Sequence, residues 1–258
     1  VAPAVLGCSA QLSEQESSHD ETAPETTGEA AQPLVFGDDE RRLVKDTEDP
    51  EYSAVVRVEI DWKGQDTFCS GVLVGERHVL TAGHCVYDAE RGGYAKAVTI
   101  IPGASEGKEP FGHARSKKMI AHPTWVSGQD DGHSERGFDL AVVELDESSD
   151  AGFLDLAAAS DDELEDGDLV VTGYPADLGG RDMYTATGSL VGGATVMQDV
   201  LIHTIDTFGG DSGAGINLDG QVVGLHVAHK KGMFAYNTGM RLTSDKIDWV
   251  NEQIERGL

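Results

Sequence analysis

Basic residues are scarce in this chain: 19 Lys and Arg stand against 46 Asp and Glu over 258 residues, a formal net charge of −27. So negative a field repels phosphate backbones, which removes nucleic acid from the expected partners. Cysteine is scarcer still, with three residues, a pair plus an odd one, which suggests oxidising surroundings. No apolar run approaches the roughly 18 residues that a membrane-spanning helix needs, so a helical transmembrane span is excluded. His113, His122, His133 and His203 show no paired ligand spacing, so neither a metal centre nor a cofactor is expected, although the many carboxylates leave room for structural calcium.

What is present divides unevenly. Val1-Ala-Pro-Ala-Val-Leu-Gly7 resembles the tail of an export signal. Val5-Leu6-Gly7-Cys8 fits a lipobox in which Cys8 carries a lipid anchor, and Cys8-Ser9-Ala10 fits an ordinary small-residue cleavage site equally well. Ser9 to Pro33 is Ser, Thr, Glu, Gln and Ala with a single Leu, too polar to offset the entropy of ordering, so residues 1–33 read as a signal remnant followed by a disordered linker or propeptide. The globular domain is expected over residues 34–258.

Within that domain short apolar runs recur: Ser53 to Ile60, Phe68 to Val74, His78 to Leu80, Ala97 to Ile101, Leu140 to Leu145, Leu169 to Thr172. Thr185 to Val191, Val200 to Ile205, Gly213 to Asn217 and Val222 to Val227 continue the series, with turn signals such as Asp219-Gly220 and Gly192-Gly193 between them. That pattern predicts an all-β antiparallel sandwich or barrel. Only the end reads as helix, where Thr243 or Ser244 can cap a segment with Ile247, Val250 and Ile254 on one face and Arg256-Gly257 at its close. That helix, over residues 243–256, is expected to pack on the second half of the domain. Cys69 and Cys85 lie close together in strand-like sequence while Cys8 stands apart. The pair is either a disulfide, worth about 3 kcal/mol for a loop of this size, or two buried thiols.

Acyl transfer to a serine needs a hydroxyl, a base, a group that orients the base, and N–H donors for the oxyanion. Gly209-Gly210-Asp211-Ser212-Gly213 sets Ser212 among glycines whose backbone can bend sharply, with the N–H groups of Gly210 and Ser212 as candidate oxyanion donors. Thr81-Ala82-Gly83-His84-Cys85 places His84 at a strand end as the candidate base. Phe138-Asp139-Leu140 puts a carboxylate at the start of a strand, where it can accept the imidazole N–H and fix its tautomer. Each segment alone has an ordinary structural reading; the three in this order point to a Ser-His-Asp triad.

These segments resemble the trypsin-like serine peptidase superfamily and, within it, the bacterial glutamyl endopeptidases. The resemblance runs from about Val35 to the C-terminus. Val35-Phe-Gly-Asp-Asp-Glu-Arg41 is similar to the mature amino terminus of those enzymes, and Cys69-Ser-Gly-Val with Thr81-Ala-Gly-His-Cys85 to the superfamily's histidine region. Val171-Thr-Gly-Tyr-Pro175 with Asp177, and Asp206-Thr-Phe-Gly-Gly-Asp-Ser-Gly213, are similar to the segments that precede and contain its nucleophile. The fold so implied is two six-stranded antiparallel β-barrels, roughly residues 34–145 and 146–240, with a C-terminal α-helix and a cleft between the barrels. The activity implied is endopeptidase action on protein or peptide substrates by a bacterial enzyme, secreted or held at the cell surface as a lipoprotein, and expected to be a monomer.

The resemblance also implies a specificity. In the glutamyl endopeptidases a threonine and a histidine at the positions of Thr207 and His226 bind the carboxylate before the scissile bond. Asp206, six residues before Ser212, stands where trypsin-like enzymes hold the acid that selects Arg or Lys, and is the competing substrate-binding residue. The chain lacks the extra cysteine pair that flanks that pocket in trypsin-like enzymes, so His226 is weighed above Asp206. Asp211 matches the trypsin-like pattern in which an aspartate pairs with a new α-amino group, so removal of the leader near Val35 is expected to mature a zymogen.

Overall fold

The computed structural model describes residues 35–128, 135–191, 198–230 and 235–257. The expected leader, the Cys8 anchor, His133 and the Gly192-Gly193 turn lie outside the described residues. The strands are β1 (Arg42–Leu43), β2 (Val55–Asp61), β3 (Asp66–Gly75), β4 (His78–Thr81), β5 (Tyr87–Asp88), β6 (Gly93–Tyr94), β7 (Ala97–Pro102) and β8 (Ala114–Ala121). They continue as β9 (Ala141–Leu145), β10 (Leu169–Gly173), β11 (Tyr184–Gly188), β12 (Val200–His203), β13 (Gly215–Leu218), β14 (Gln221–Lys230) and β15 (Tyr236–Arg241). Helices are α1 (Pro123–Ser127), α2 (Asp161–Asp166) and α3 (Ser244–Arg256). Among the described residues no helix is long and apolar enough to cross a membrane.

Six strands close the first barrel in the order β2-β3-β4-β9-β8-β7, all antiparallel. In β2 the alternation works as expected, with Val56, Val58 and Ile60 pointing inward beside Leu73, Leu80, Ile100 and Val142. The second unit is a seven-stranded sheet ordered β1-β11-β10-β13-β14-β15-β12. A bridge from Leu190, just past β11, to His203 on β12 joins the two ends of its six long strands, with β1 as an added strand on β11. Its core gathers Leu169, Val171, Leu201, Ile216 and Val223. The Asp219-Gly220 turn joins β13 to β14 with positive φ at both residues, 51° and 80°, the backbone that a two-residue hairpin of this twist requires.

Three expectations are corrected. The sequence boundaries put β1 in the first barrel, whereas Arg42 and Leu43 pair with Thr185 and Tyr184 of the second. The C-terminal helix packs on both units rather than on the second alone: it contacts β9 of the first barrel, and Val250, Ile247, Trp249 and Ile254 join an apolar cluster that holds Val142 and Leu145 of the first barrel and Met240 and Leu242 at the end of the second unit. Nor is it the only helix. Ser160 caps α2 through a reciprocal box in which its Oγ accepts the Glu163 N–H at 3.3 Å and its own N–H donates to Glu163 Oε2 at 2.8 Å.

Candidate active site

β4 and β9 are neighbours in the first barrel, Thr81 facing Ala141. The residue groups just past the end of one and just before the start of the other are therefore brought together. His84 sits on a 3₁₀ turn, Gly83–Cys85, that follows β4, and its neighbour Cys85 is bonded to Cys69 of β3 across 16 positions. The pair is thus a disulfide and not two thiols. Asp139, two residues before β9, is 2% exposed, and both of its oxygens hold the histidine. Oδ1 accepts the His84 main-chain N–H at 2.8 Å and Oδ2 lies 2.7 Å from Nδ1. An ionised carboxylate only accepts, so Nδ1 carries the proton and Nε2 is left as the basic nitrogen. Burial opposes charge on the imidazole, but Asp139 outweighs it, and the His84 pKa is raised above its ordinary 6.5. One third of the side chain, 33%, remains exposed, so the basic nitrogen can be reached from solvent.

The loop between β12 and β13 brings Ser212 to the same place. The Ser70 N–H of β3 donates to the Ser212 carbonyl at 2.8 Å, and the Cys85 sulfur, one residue from His84, lies 3.8 Å from that carbonyl oxygen. Gly213 is pressed onto the first barrel: a Cβ there would come within 2.3 Å of Thr81 Oγ1 and 2.4 Å of the Ser70 carbonyl, and its φ is +83°. Only glycine satisfies both demands. Among the described residues the Ser212 hydroxyl makes no hydrogen bond. Neither the Gly210 N–H nor the Ser212 N–H donates within the chain among these residues, which leaves both free for a ligand oxygen.

Thr207 and His226 are both buried at 0% exposure. His226 lies on β14, held against the serine loop because Gly213 N–H donates to its carbonyl at 2.7 Å and its own N–H donates to the Ala214 carbonyl at 2.8 Å. Among the described residues Thr207 Oγ1 and His226 Nε2 have no hydrogen-bond partner, an arrangement that buried polar groups rarely leave without a purpose. His226 Nδ1 lies 3.4 Å from His203 Nε2. Burial, then the neighbouring imidazoles of His203, His229 and His84, hold the His226 pKa well below its ordinary value, and burial takes His203 down to about 3. His203, read from sequence as a surface or core residue, thus stacks edge-on beside the candidate pocket residue. Its only signal in the sequence was a histidine within an apolar strand.

Asp206 is placed otherwise than the competing reading required. Its Oδ1 accepts the Phe36 N–H at 2.7 Å and its Oδ2 the Glu40 N–H at 2.9 Å, so the carboxylate is engaged by the amino-terminal segment. Beside it the Arg41 side chain, 3% exposed, forms a two-pronged pair with Asp177 at 2.8 and 2.6 Å and bonds Asp39. Asp211 is buried at 3% exposure and accepts the Phe208 N–H at 2.8 Å. Burial raises its pKa to about 7 against the opposing pull of that N–H and of Arg41.

A metal does not fit here: among the described residues the one cluster of candidate ligands is Cys69, His84 and Cys85, whose two sulfurs are bonded to each other. His113 pairs with Glu109 at 2.7 Å, and His122 caps α1 through Nδ1.

Comparison with known proteins bears on the family and the fold. The family model described as Trypsin matches residues 43–242. A glutamyl endopeptidase of Bacillus licheniformis is 27% identical over 232 residues, covering 84% of this chain and 69% of that protein. A Bacillus subtilis protein named extracellular metalloprotease is 26% identical over 228 residues, covering 84% and 70%. Among solved structures, a Glu endopeptidase in complex with MPD superposes with a TM-score of 0.71 at 25% identity, covering 85% of this chain and 98% of that one.

Proposed function

The chain belongs to the trypsin family of serine peptidases, and on that footing we propose that it is a secreted endopeptidase that cleaves after Glu or Asp, with His84, Asp139 and Ser212 as its catalytic triad. The observation that carries the reading is the double grip of Asp139 on His84, at 2.8 and 2.7 Å, which leaves Nε2 free to take a proton. His84 removes the Ser212 proton as Oγ attacks the substrate carbonyl, and the resulting oxyanion is met by the N–H groups of Gly210 and Ser212. His84 then returns the proton to the departing amine. Water, deprotonated by the same imidazole, releases the acyl group from Ser212.

Thr207 Oγ1 and His226 Nε2, buried and without partners, supply the polar groups that an incoming carboxylate needs in place of its water. Selection of Arg or Lys through Asp206 is disfavoured, since both oxygens already accept main-chain N–H groups. Maturation by removal of the leader near Val35 fits the docking of Phe36 and Glu40 on Asp206. The donor chemistry of the cysteine pair gives no support to a metal-dependent reaction.

A fluorophosphonate probe tests the reading. Labelling of the mature protein that disappears in Ser212→Ala supports it. Absence of labelling in wild-type protein with intact fold would instead identify a binding module that retains the barrels without the chemistry.

A further inference from the structure

Every carbonyl of the loop Gly209 to Ser212 is held from behind. Ala176 N–H donates to the Gly209 carbonyl at 2.6 Å, Ala214 N–H to that of Asp211 at 2.9 Å, and Ser70 N–H to that of Ser212 at 2.8 Å. The fourth, Gly210, is held differently: its carbonyl accepts the Ser70 side-chain hydroxyl at 2.8 Å. Ser70 is fully buried, and its Oγ also accepts the Tyr174 N–H at 3.0 Å, so the hydroxyl bridges β3 of the first barrel to two segments of the second unit.

The geometry has a consequence for the oxyanion donors. The Gly210 N–H belongs to the peptide whose carbonyl is Gly209, and the Ser212 N–H to the peptide whose carbonyl is Asp211. Between them lies the Gly210-Asp211 peptide, which sets the angle at which the two donors converge. Gly210 has a φ of +102°, and a Cβ there would come within 2.4 Å of the Tyr174 carbonyl and 2.5 Å of the Phe68 ring. No side chain at position 210 can therefore restrict this backbone, and glycine is the residue with the most freedom to turn. Restraint has to come from outside. Phe68 and Ser70, two residues apart on the same face of β3, provide it: the ring packs against Gly210 while the hydroxyl fixes its carbonyl. The Arg57 guanidinium in turn lies over the Phe68 ring at 4.8 Å and donates to the Gly180 carbonyl at 2.7 Å.

We propose that Ser70 is a positioning residue of the oxyanion site, its hydroxyl locking the peptide that joins the two donors. The inference rests on the peptidase reading and deepens it. Ser70 touches no substrate; it acts through Gly210.

Ser70→Ala and Ser70→Thr separate this role from a merely structural one. In Ser70→Ala, kcat for a Glu-containing peptide is expected to fall about tenfold, less than loss of a whole donor, with KM within about twofold of wild type. Affinity for a peptide aldehyde, whose adduct with Ser212 presents an oxyanion, should fall by the same factor, while a product peptide ending in Glu binds as before. Ser70→Thr, which keeps the hydroxyl, should restore most of kcat. Wild-type rates and aldehyde affinity in Ser70→Ala would overturn the assignment, as would equal losses in both variants together with a lowered melting temperature. A wild-type protein that neither cleaves nor labels would overturn the peptidase reading itself and this inference with it.

Discussion

Asp139 gives one oxygen to a main-chain N–H and the other to an imidazole, so a single buried acid sets the position, tautomer and basicity of His84 together. Asp139→Asn, which can present the wrong partner to Nδ1, is expected to lower kcat by about 10⁴ while the fold survives, as measured by steady-state kinetics beside circular dichroism. His84 works only when deprotonated, and its pKa is raised above 6.5, so kcat/KM should climb with pH through a midpoint above that value. His226 behaves oppositely. Its depressed pKa leaves it neutral in the free enzyme, and an incoming carboxylate favours the protonated form, so the ratio of cleavage after Glu to cleavage after Gln should fall as pH rises. A ratio flat with pH would remove His226 from charge recognition. Asp211 carries a third sign: with its pKa raised from 3.8 to about 7, the folded state keeps a proton that the unfolded chain gives up. Stability is then lost as pH rises across that interval and is constant above it. The melting-temperature gap between Asp211→Asn and wild type should widen over the same range and then level off.

At the level of elements, most strands could be read from the sequence because each alternates or runs apolar over four or more residues. The two-residue strands β1, β5 and β6 could not, and neither could β8 and β15. β8 is Ala-Arg-Ser-Lys-Lys-Met-Ile-Ala with a register shift between Ser116 and Lys118, and β15 is Tyr-Asn-Thr-Gly-Met-Arg, whose Asn237 is buried by its neighbours rather than by its own hydropathy. The apolar face of α3 was legible from Ile247, Val250 and Ile254, but its docking was not, because Lys246 decides it. That lysine is 2% exposed and bonds Asp199 at 2.8 Å and the Arg241 carbonyl at 2.8 Å, tying α3 to the second unit while its apolar face lies in a cluster shared by both units. Removing one member of a buried pair leaves the other charged and unsolvated, so Lys246→Ala should cost about 3–5 kcal/mol in urea unfolding. Replacing Lys246 and Asp199 together by apolar residues of similar size should cost much less.

Across the whole molecule, the candidate triad was legible because each of its proposed members sits in a short segment with its own signature. What surrounds the triad was not, since Ser70 meets Gly210 across 140 positions and Phe36 meets Asp206 across 170, and no local pattern announces such pairs. The same long reach engages Asp206, a candidate selector of basic side chains, with the amino-terminal segment. Net charge acts at this scale too. A chain at −27 repels the acidic substrates that its pocket is proposed to accept, so cleavage of a Glu-rich peptide should speed up as ionic strength rises from about 0.01 M to about 0.1 M and the Debye length shortens from about 30 to about 10 Å. A rate that falls with salt would mean attraction at the cleft outweighs the global field. The most direct test of the account is the cleavage profile of a mixed peptide library digested by the mature enzyme and read by mass spectrometry. Cuts concentrated after Glu or Asp, and none with Ser212→Ala, are the expected result; cuts after Arg and Lys with none after Glu would contradict it.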